Sequence, residues 1–394
     1  MVHLASALLI ASASVAAAAP ASEIFERQSC TVANSYPTVS VSKLPDPFTS
    51  ANGQKITTKE QFNCRAQEIS KMMQQYELGT YPPPPDKVEG TLSGNTLTVK
   101  ITVGSTSVSF NAAIKKPSGS GPFPAIIGIG GASIPIPGTV ATITFPNDDF
   151  AAQSGGSSRG RGKFYTLFGS SHSAGALTAW AWGVDRLVDA LEQVADRSGI
   201  DPKRLGVTGC SRNGKGAFIA GALVKRIALT IPQESGSGGA ACWRVSDSEK
   251  NAGRNIQTAN QIVGENVWFS PQFNQYTRAT SSIPEDHHML AALTVPRGLI
   301  PFENDIDWLG PASTTACMKA GRLIYKAYGV PTNMGFSLTG GHSHCQFPSG
   351  QQSELTQYIN YFLLNGNTPP SAVERSTSSV SVDSWAPWAV PSLT

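Results

Sequence analysis

Gly209-Cys-Ser211-Arg-Asn-Gly214 sets a serine between two glycines, where an apolar strand-like run meets a helix-like run. A serine on such a sharp strand-to-helix turn has its oxygen pushed out above a sheet, with backbone N–H groups of the helix start nearby. Those donors can hold the oxyanion of an ester's tetrahedral intermediate. The usual turn carries glycine two residues after the serine; here Asn213 stands there, and Gly214 and Gly216 follow. A plain glycine-rich turn or a phosphate-binding loop has a similar composition, but the full G-x-x-x-x-G-K-S/T spacing is absent.

A nucleophilic serine needs a base within hydrogen-bond reach. Of the 6 histidines, His344 is the best placed, in a loop after the last expected strand and before the final helix. His342, two residues away, is the second candidate, while His172, His287 and His288 read as structural or surface residues. Two histidines alone make a weak metal site, and no metal is expected. Cys210 immediately precedes Ser211 and Cys345 immediately follows His344. A bond between those cysteines would bring their Cα atoms within about 7 Å and lock the two loops together. The acid stays open on this reading. Glu234 follows the next strand, whereas Glu303, Asp305 and Asp307 follow the penultimate one, and either order suits a Ser…acid…His hydrolase.

Alternating strands and helices must position these groups. Leu92–Ile114 alternates apolar and polar residues, as antiparallel hairpins do. Pro124–Gly130 reads as a buried strand, and Asp201–Gly209, Ile227–Ile231, Val295–Pro301 and Met334–Leu338 as further strands. Helices are expected over Lys59–Leu78, Ala176–Arg197, Ala217–Leu223, Ala316–Tyr328 and Ser353–Leu364. This alternation predicts an α/β fold, a three-layer αβα sandwich around a mostly parallel sheet, with an insertion rich in Trp, Asn and Gln before Val295.

The 394 residues include 38 glycines and 27 prolines, and only 14% are charged, with a net charge of +3. That describes a loop-rich folded chain, and no Lys/Arg run offers a stripe for nucleic acid. Residues 1–19 read as a secretory signal peptide, small residues at its end, and no later segment is apolar and long enough to cross a membrane. A catalytic domain is expected over 20–366, and a Ser/Pro-rich tail over 367–394, lying on the surface. The even count of 6 cysteines behind a leader suggests three disulfides in an extracellular protein. No N-x-Ser/Thr sequon occurs.

Gly209-Cys-Ser-Arg-Asn-Gly-Lys-Gly216 resembles the signature of the glucuronoyl esterases (carbohydrate esterase family 15), in particular the secreted fungal type. The likeness spans about Cys30 to Gly366. It implies an α/β-hydrolase fold and cleavage of the ester between 4-O-methyl-glucuronic acid of glucuronoxylan and lignin alcohols in the plant cell wall. By position it implies Ser211 as nucleophile, His344 as base and Glu234 as acid, although some relatives place the acid after the later strand. Arg212 corresponds to the oxyanion residue, and Lys215, Gln257, Glu265 and Trp308 to contacts with the sugar. The resemblance also implies the disulfides Cys30–Cys64, Cys210–Cys345 and Cys242–Cys317. A cofactor is not required, a monomer is expected, and no second cysteine cluster suggests a cellulose-binding module. An acetyl-xylan or feruloyl esterase, or a non-catalytic glucuronoxylan-binding protein, are the competing readings.

Overall fold

Two kinds of apolar pattern build two kinds of strand. In β2 (Thr96–Val103) Leu97, Val99 and Ile101 are buried while Lys100 faces water. In β4 (Phe123–Ile129) every residue after Phe123 is buried. Alternation suits a strand with one wet face, and a continuous apolar run suits one covered on both. The structure is a computed structural model that describes residues 30–394; the expected signal peptide lies outside the described residues.

The remaining strands are β1 (Lys87–Ser93), β3 (Thr106–Lys115), β5 (Ala141–Phe145), β6 (Ile200–Cys210), β7 (Ile227–Gln233), β8 (Gly298–Leu299), β9 (Phe302–Asn304), β10 (Phe336–Thr339) and β11 (Glu374–Arg375). They form one sheet in the order β1-β2-β3-β5-β4-β6-β7-β9-β10-β11, with β8 beside β7. The pairs β1–β2, β2–β3 and β3–β5 are antiparallel. From β5 to β11 all pairs are parallel. This is the mostly parallel sheet expected from the sequence, closed at one side by hairpins.

Helices cover both faces. The helix Ala176–Gln193 buries Trp180 and Trp182 completely, large apolar surfaces whose removal from water stabilises the packing of the helix on the sheet. Trp180 Nε1 donates to Ala151 O at 2.9 Å. Against it lies the helix Arg212–Leu223, whose Gly216 faces Trp180; a Cβ there would sit 2.7 Å from the indole. On the other face, Ile126, Leu229, Ile231 and Phe302 pack on Leu355, Tyr358 and Ile359 of the helix Gln352–Phe362.

Several expected elements have different bounds. The helix expected over Lys59–Leu78 is α-helical from Lys59 to Met73 and a π-turn from Gln74 to Leu78. Of the strand expected over Val295–Pro301 only Gly298–Leu299 (β8) is strand; Pro301, which has no N–H for the ladder, separates it from β9, which begins beyond the expected end at Phe302. The strand β5 was not expected at all.

The end of the chain folds back on the body. Glu374–Arg375 extends the sheet beside β10. Farther along, Trp388 Nε1 donates to Leu44 O at 3.1 Å, and Lys59 N donates to Thr394 O at 3.0 Å. The six cysteines form the disulfides Cys30–Cys64, Cys210–Cys345 and Cys242–Cys317.

Candidate active site

Four non-glycine residues among those described have positive φ, and three of them converge at the carboxyl end of the sheet: Ser211 (59°), Glu234 (44°) and Cys345 (66°). Side chains pay a steric penalty there, so such conformations persist where the surroundings impose them, often at functional sites. Ser211 lies between the end of β6 and the helix Arg212–Leu223, and its N–H donates to Gln233 O at 2.9 Å. The tight approach falls on Gly214, where a Cβ would stand 2.4 Å from Gln233 O. The glycine demand has moved one position from its usual place. Asn213 fills the vacated position, its Oδ1 accepting from Asn147 Nδ2 at 3.2 Å and Gln153 Nε2 at 3.3 Å.

The loop after β10 reaches this turn through the Cys210–Cys345 disulfide, with Cα atoms 5.7 Å apart. A ring nitrogen of His344 lies within 4.8 Å of both disulfide sulfurs, which are bonded to each other and so offer no thiolate to a metal. His344 Nδ1 donates to Glu234 Oε2 at 2.6 Å, and the Cys345 N–H donates to the same oxygen at 2.8 Å. The bond commits Nδ1 to the carboxylate and leaves Nε2 as the ring nitrogen available to accept a proton. The imidazole is about three-tenths exposed, whereas Glu234 is buried. Glu234 N donates to Phe302 O at 2.7 Å, which pins the carboxylate's own backbone to β9.

The other acids do other things. Glu303 accepts from Ser235 N at 2.9 Å, Ser235 Oγ at 2.6 Å and Gly236 N at 3.2 Å. It braces the turn that carries Glu234. Burial pushes its carboxyl up to about 7, against the Ser235 and Gly236 hydrogen bonds that pull it down. Asp305 and Asp307 are exposed. His342 faces the same carboxylate from the other side, its Nδ1 lying 3.6 Å from Glu234 Oε1, while Asn304 Nδ2 approaches that ring nitrogen at 3.2 Å. His287 and His288 are fully buried, His287 against Glu77 and His288 against Pro45 O. His172 packs on Phe164 and Phe168.

The residues nominated for sugar contacts flank this centre. Trp308 is half-buried, its ring 4.9 Å from that of His344 in an edge-to-face arrangement. Trp308 O accepts from Gln257 N at 3.2 Å, and Gln257 Nε2 donates to Glu265 Oε2 at 3.1 Å. Glu265 is exposed, at the end of the helix Ala259–Glu265. Lys215 is buried, donating to Ser235 O at 2.5 Å. Burial lowers its ammonium to about 8, with Glu303 and Glu265 opposing the shift and Arg212 adding to it. Arg212 itself is exposed beside Ser211.

Trp268 and Gln153 were missed by the sequence analysis. The Trp268 ring lies under both Arg212 and Lys215, and its Nε1 donates to Gln153 Oε1 at 2.8 Å. The two are 115 positions apart, and only the Trp-rich character of the insertion marked the region.

A model of the family described as glucuronyl esterase, fungi, matches residues 99–329. A 4-O-methyl-glucuronoyl methylesterase of Neurospora crassa is 81% identical over 394 residues, covering 100% of both chains. The same-named protein of Thermothelomyces thermophilus is 70% identical over 390 residues, covering 98% of each. Among solved structures, a serine-to-alanine mutant of the Sporotrichum thermophile glucuronoyl esterase, in complex with methyl 4-O-methyl-β-D-glucopyranuronate, is similar with a TM-score of 0.92. It is 69% identical and covers 93% of this chain and 100% of its own. The Hypocrea jecorina glucuronoyl esterase catalytic domain has a TM-score of 0.90 at 52% identity, covering 92% and 100%.

Proposed function

Because the chain belongs to the fungal glucuronyl esterase family, we propose that it hydrolyses the ester between 4-O-methyl-glucuronic acid of glucuronoxylan and lignin alcohols, with Ser211, His344 and Glu234 as catalytic triad. The observation that carries this reading is the 2.6 Å bond from His344 Nδ1 to buried Glu234, beside a serine turn tethered to the same loop by Cys210–Cys345.

In this mechanism His344 Nε2 takes the proton of Ser211 as the serine oxygen bonds to the C6 carbonyl carbon. Glu234 holds the tautomer and balances the imidazolium. The carbonyl electrons move onto oxygen, where the exposed guanidinium of Arg212 and nearby N–H groups of the helix start can meet the charge. Collapse breaks the bond to the alcohol, which leaves with the proton from His344. Water, deprotonated by His344, then releases the glucuronate and restores Ser211. Lys215 donates to sugar hydroxyls, Gln257 and Glu265 bind them from the other side, and Trp308 offers an apolar face to the pyranose.

The protein is also proposed to be secreted, supported by three disulfides of a kind that persists in oxidising compartments. N-terminal sequencing of protein from culture medium tests this, with a start near Ala17–Ala19 expected. A monomer suffices, since one chain supplies every group named.

The deciding experiment compares kcat/KM on benzyl 4-O-methyl-glucuronate and on an acetyl ester, with Ser211→Ala alongside. A strong preference for the uronate ester, reduced at least about 10³-fold in the variant, is expected. Preference for the acetyl ester would remove the sugar assignments, and turnover that survives the substitution would remove the triad.

A further inference from the structure

Arg212 and Lys215 sit three residues apart on one face of the helix Arg212–Leu223, at its N-terminal end. That is the end where the helix dipole disfavours positive charge. The two cations also repel one another. Among the described residues the Arg212 side chain makes no hydrogen bond or ion pair, and the Lys215 ammonium has a single hydrogen bond, to Ser235 O. What both side chains meet is one indole. Arg212 Cζ lies 5.4 Å and Lys215 Nζ 5.8 Å from the ring centroid of Trp268, within the reach of a cation–π interaction.

Trp268 is built to stay where it is. It is 2% exposed, its carbonyl accepts from Leu177 N at 3.2 Å, and its Nε1 is held by Gln153 Oε1. Gln153 in turn donates to Asp148 Oδ1 at 2.7 Å and reaches Asn213 Oδ1 at 3.3 Å. The ring is therefore fixed relative to the serine turn, through Asn213, two residues from Ser211.

We propose that Trp268 is a positioning residue whose ring holds Arg212 over the forming oxyanion and keeps Lys215 dehydrated for the sugar. The inference rests on the roles given to Arg212 and Lys215 above. It assigns two effects to one ring. Loss of its π face frees the Arg212 side chain, which lowers kcat. It also lets water reach Lys215, whose other charged neighbours are Glu303, Glu265 and Arg212. The lysine then stays charged to higher pH, so the alkaline rise in KM moves upward.

The test measures kcat and KM from pH 6 to 9.5 on benzyl 4-O-methyl-glucuronate for Trp268→Leu and Trp268→Phe, each alone and in an Arg212→Met background. Trp268→Leu is expected to lower kcat about tenfold, an amount within the range of cation–π interactions. Phenylalanine, which keeps a π face, recovers most of it, and the leucine substitution adds little once Arg212 is methionine. Equal losses in the leucine and phenylalanine variants, or an undiminished loss in the Arg212→Met background, would make the ring a wedge and overturn the proposal. Should Trp268→Leu not fold, as judged by circular dichroism and Tm, Trp268→Phe and Gln153→Met decide. A kcat near wild type in the first with a twofold to fivefold fall in the second supports the platform, and any other pattern overturns it. If Arg212→Met alone leaves kcat unchanged, the oxyanion role of Arg212 fails first, which separates that failure from one at Trp268.

Discussion

Glu234 and Glu265, the two carboxylates proposed for the site, are held in opposite ways. Glu234 is buried, its backbone pinned to β9, and one oxygen accepts from both His344 Nδ1 and Cys345 N. Behind it Glu303 braces the turn. Glu265 is exposed, and its hydrogen bond is to the side chain of Gln257. On the proposed assignment, the reacting wall is assembled before substrate arrives, and the sugar wall is left for the substrate to complete. Preorganised groups act on the transition state, whereas groups that simply bind act on both states. The first wall is therefore expected to govern kcat and the second KM.

The sharpest way to break that division is Glu234→Gln. An amide in place of the carboxylate favours the wrong imidazole tautomer, as in other triads, and kcat should fall roughly 10³–10⁴-fold with KM nearly unchanged. Steady-state kinetics on the benzyl uronate ester checks it; a change confined to KM would show that Glu234 belongs with the binding wall.

A smaller effect is expected from Cys210→Ala/Cys345→Ala. The bond closes a separation of 135 residues, and its removal should cost about 2–4 kcal/mol of stability, measured by denaturant unfolding. With the serine and histidine loops uncoupled, kcat should drop about tenfold and KM hold. Unaltered kcat at temperatures well below unfolding would mean that Glu234 alone positions the histidine loop.

The mildest prediction concerns pH. Burial lowers Lys215 to about 8, so the ammonium is present below that pH and lost as pH rises through it. KM for the uronate ester should accordingly rise threefold to tenfold between about pH 7 and 9, the scale of losing a charge-assisted hydrogen bond. Measured KM values should flatten in Lys215→Met. A slope that persists in this variant would assign the effect to another group.

Much of this arrangement was legible in the residues. The strands β4 and β7 and the second half of β6, Leu205–Gly209, are buried runs, and the helix after Ser211 follows directly from the last of these, so the α/β sheet and its serine turn could be read locally. The neighbouring cysteines supplied one long-range distance that no periodicity contains. Where the reading stopped, the missing information was orientation. Glu234 and Glu303 lie at the ends of adjacent strands, and only the fold turns one toward His344 and the other toward Ser235. The strand β5 is five residues, ATITF, too short for its alternation to stand out after a Pro- and Gly-rich stretch. Trp268 and Gln153 meet across 115 positions with no local pattern linking them.

One consequence follows from the cysteine pairing alone. Every cysteine of the chain is bonded, with none free. Thiol–disulfide exchange begins with a thiolate attacking a sulfur, and the oxidised protein carries no such initiator of its own. A chain unfolded without reductant thus keeps its native cross-links as a record of the fold. Its denatured ensemble remains looped, and the segments bearing Ser211 and His344 stay neighbours even when the sheet that normally aligns them is gone.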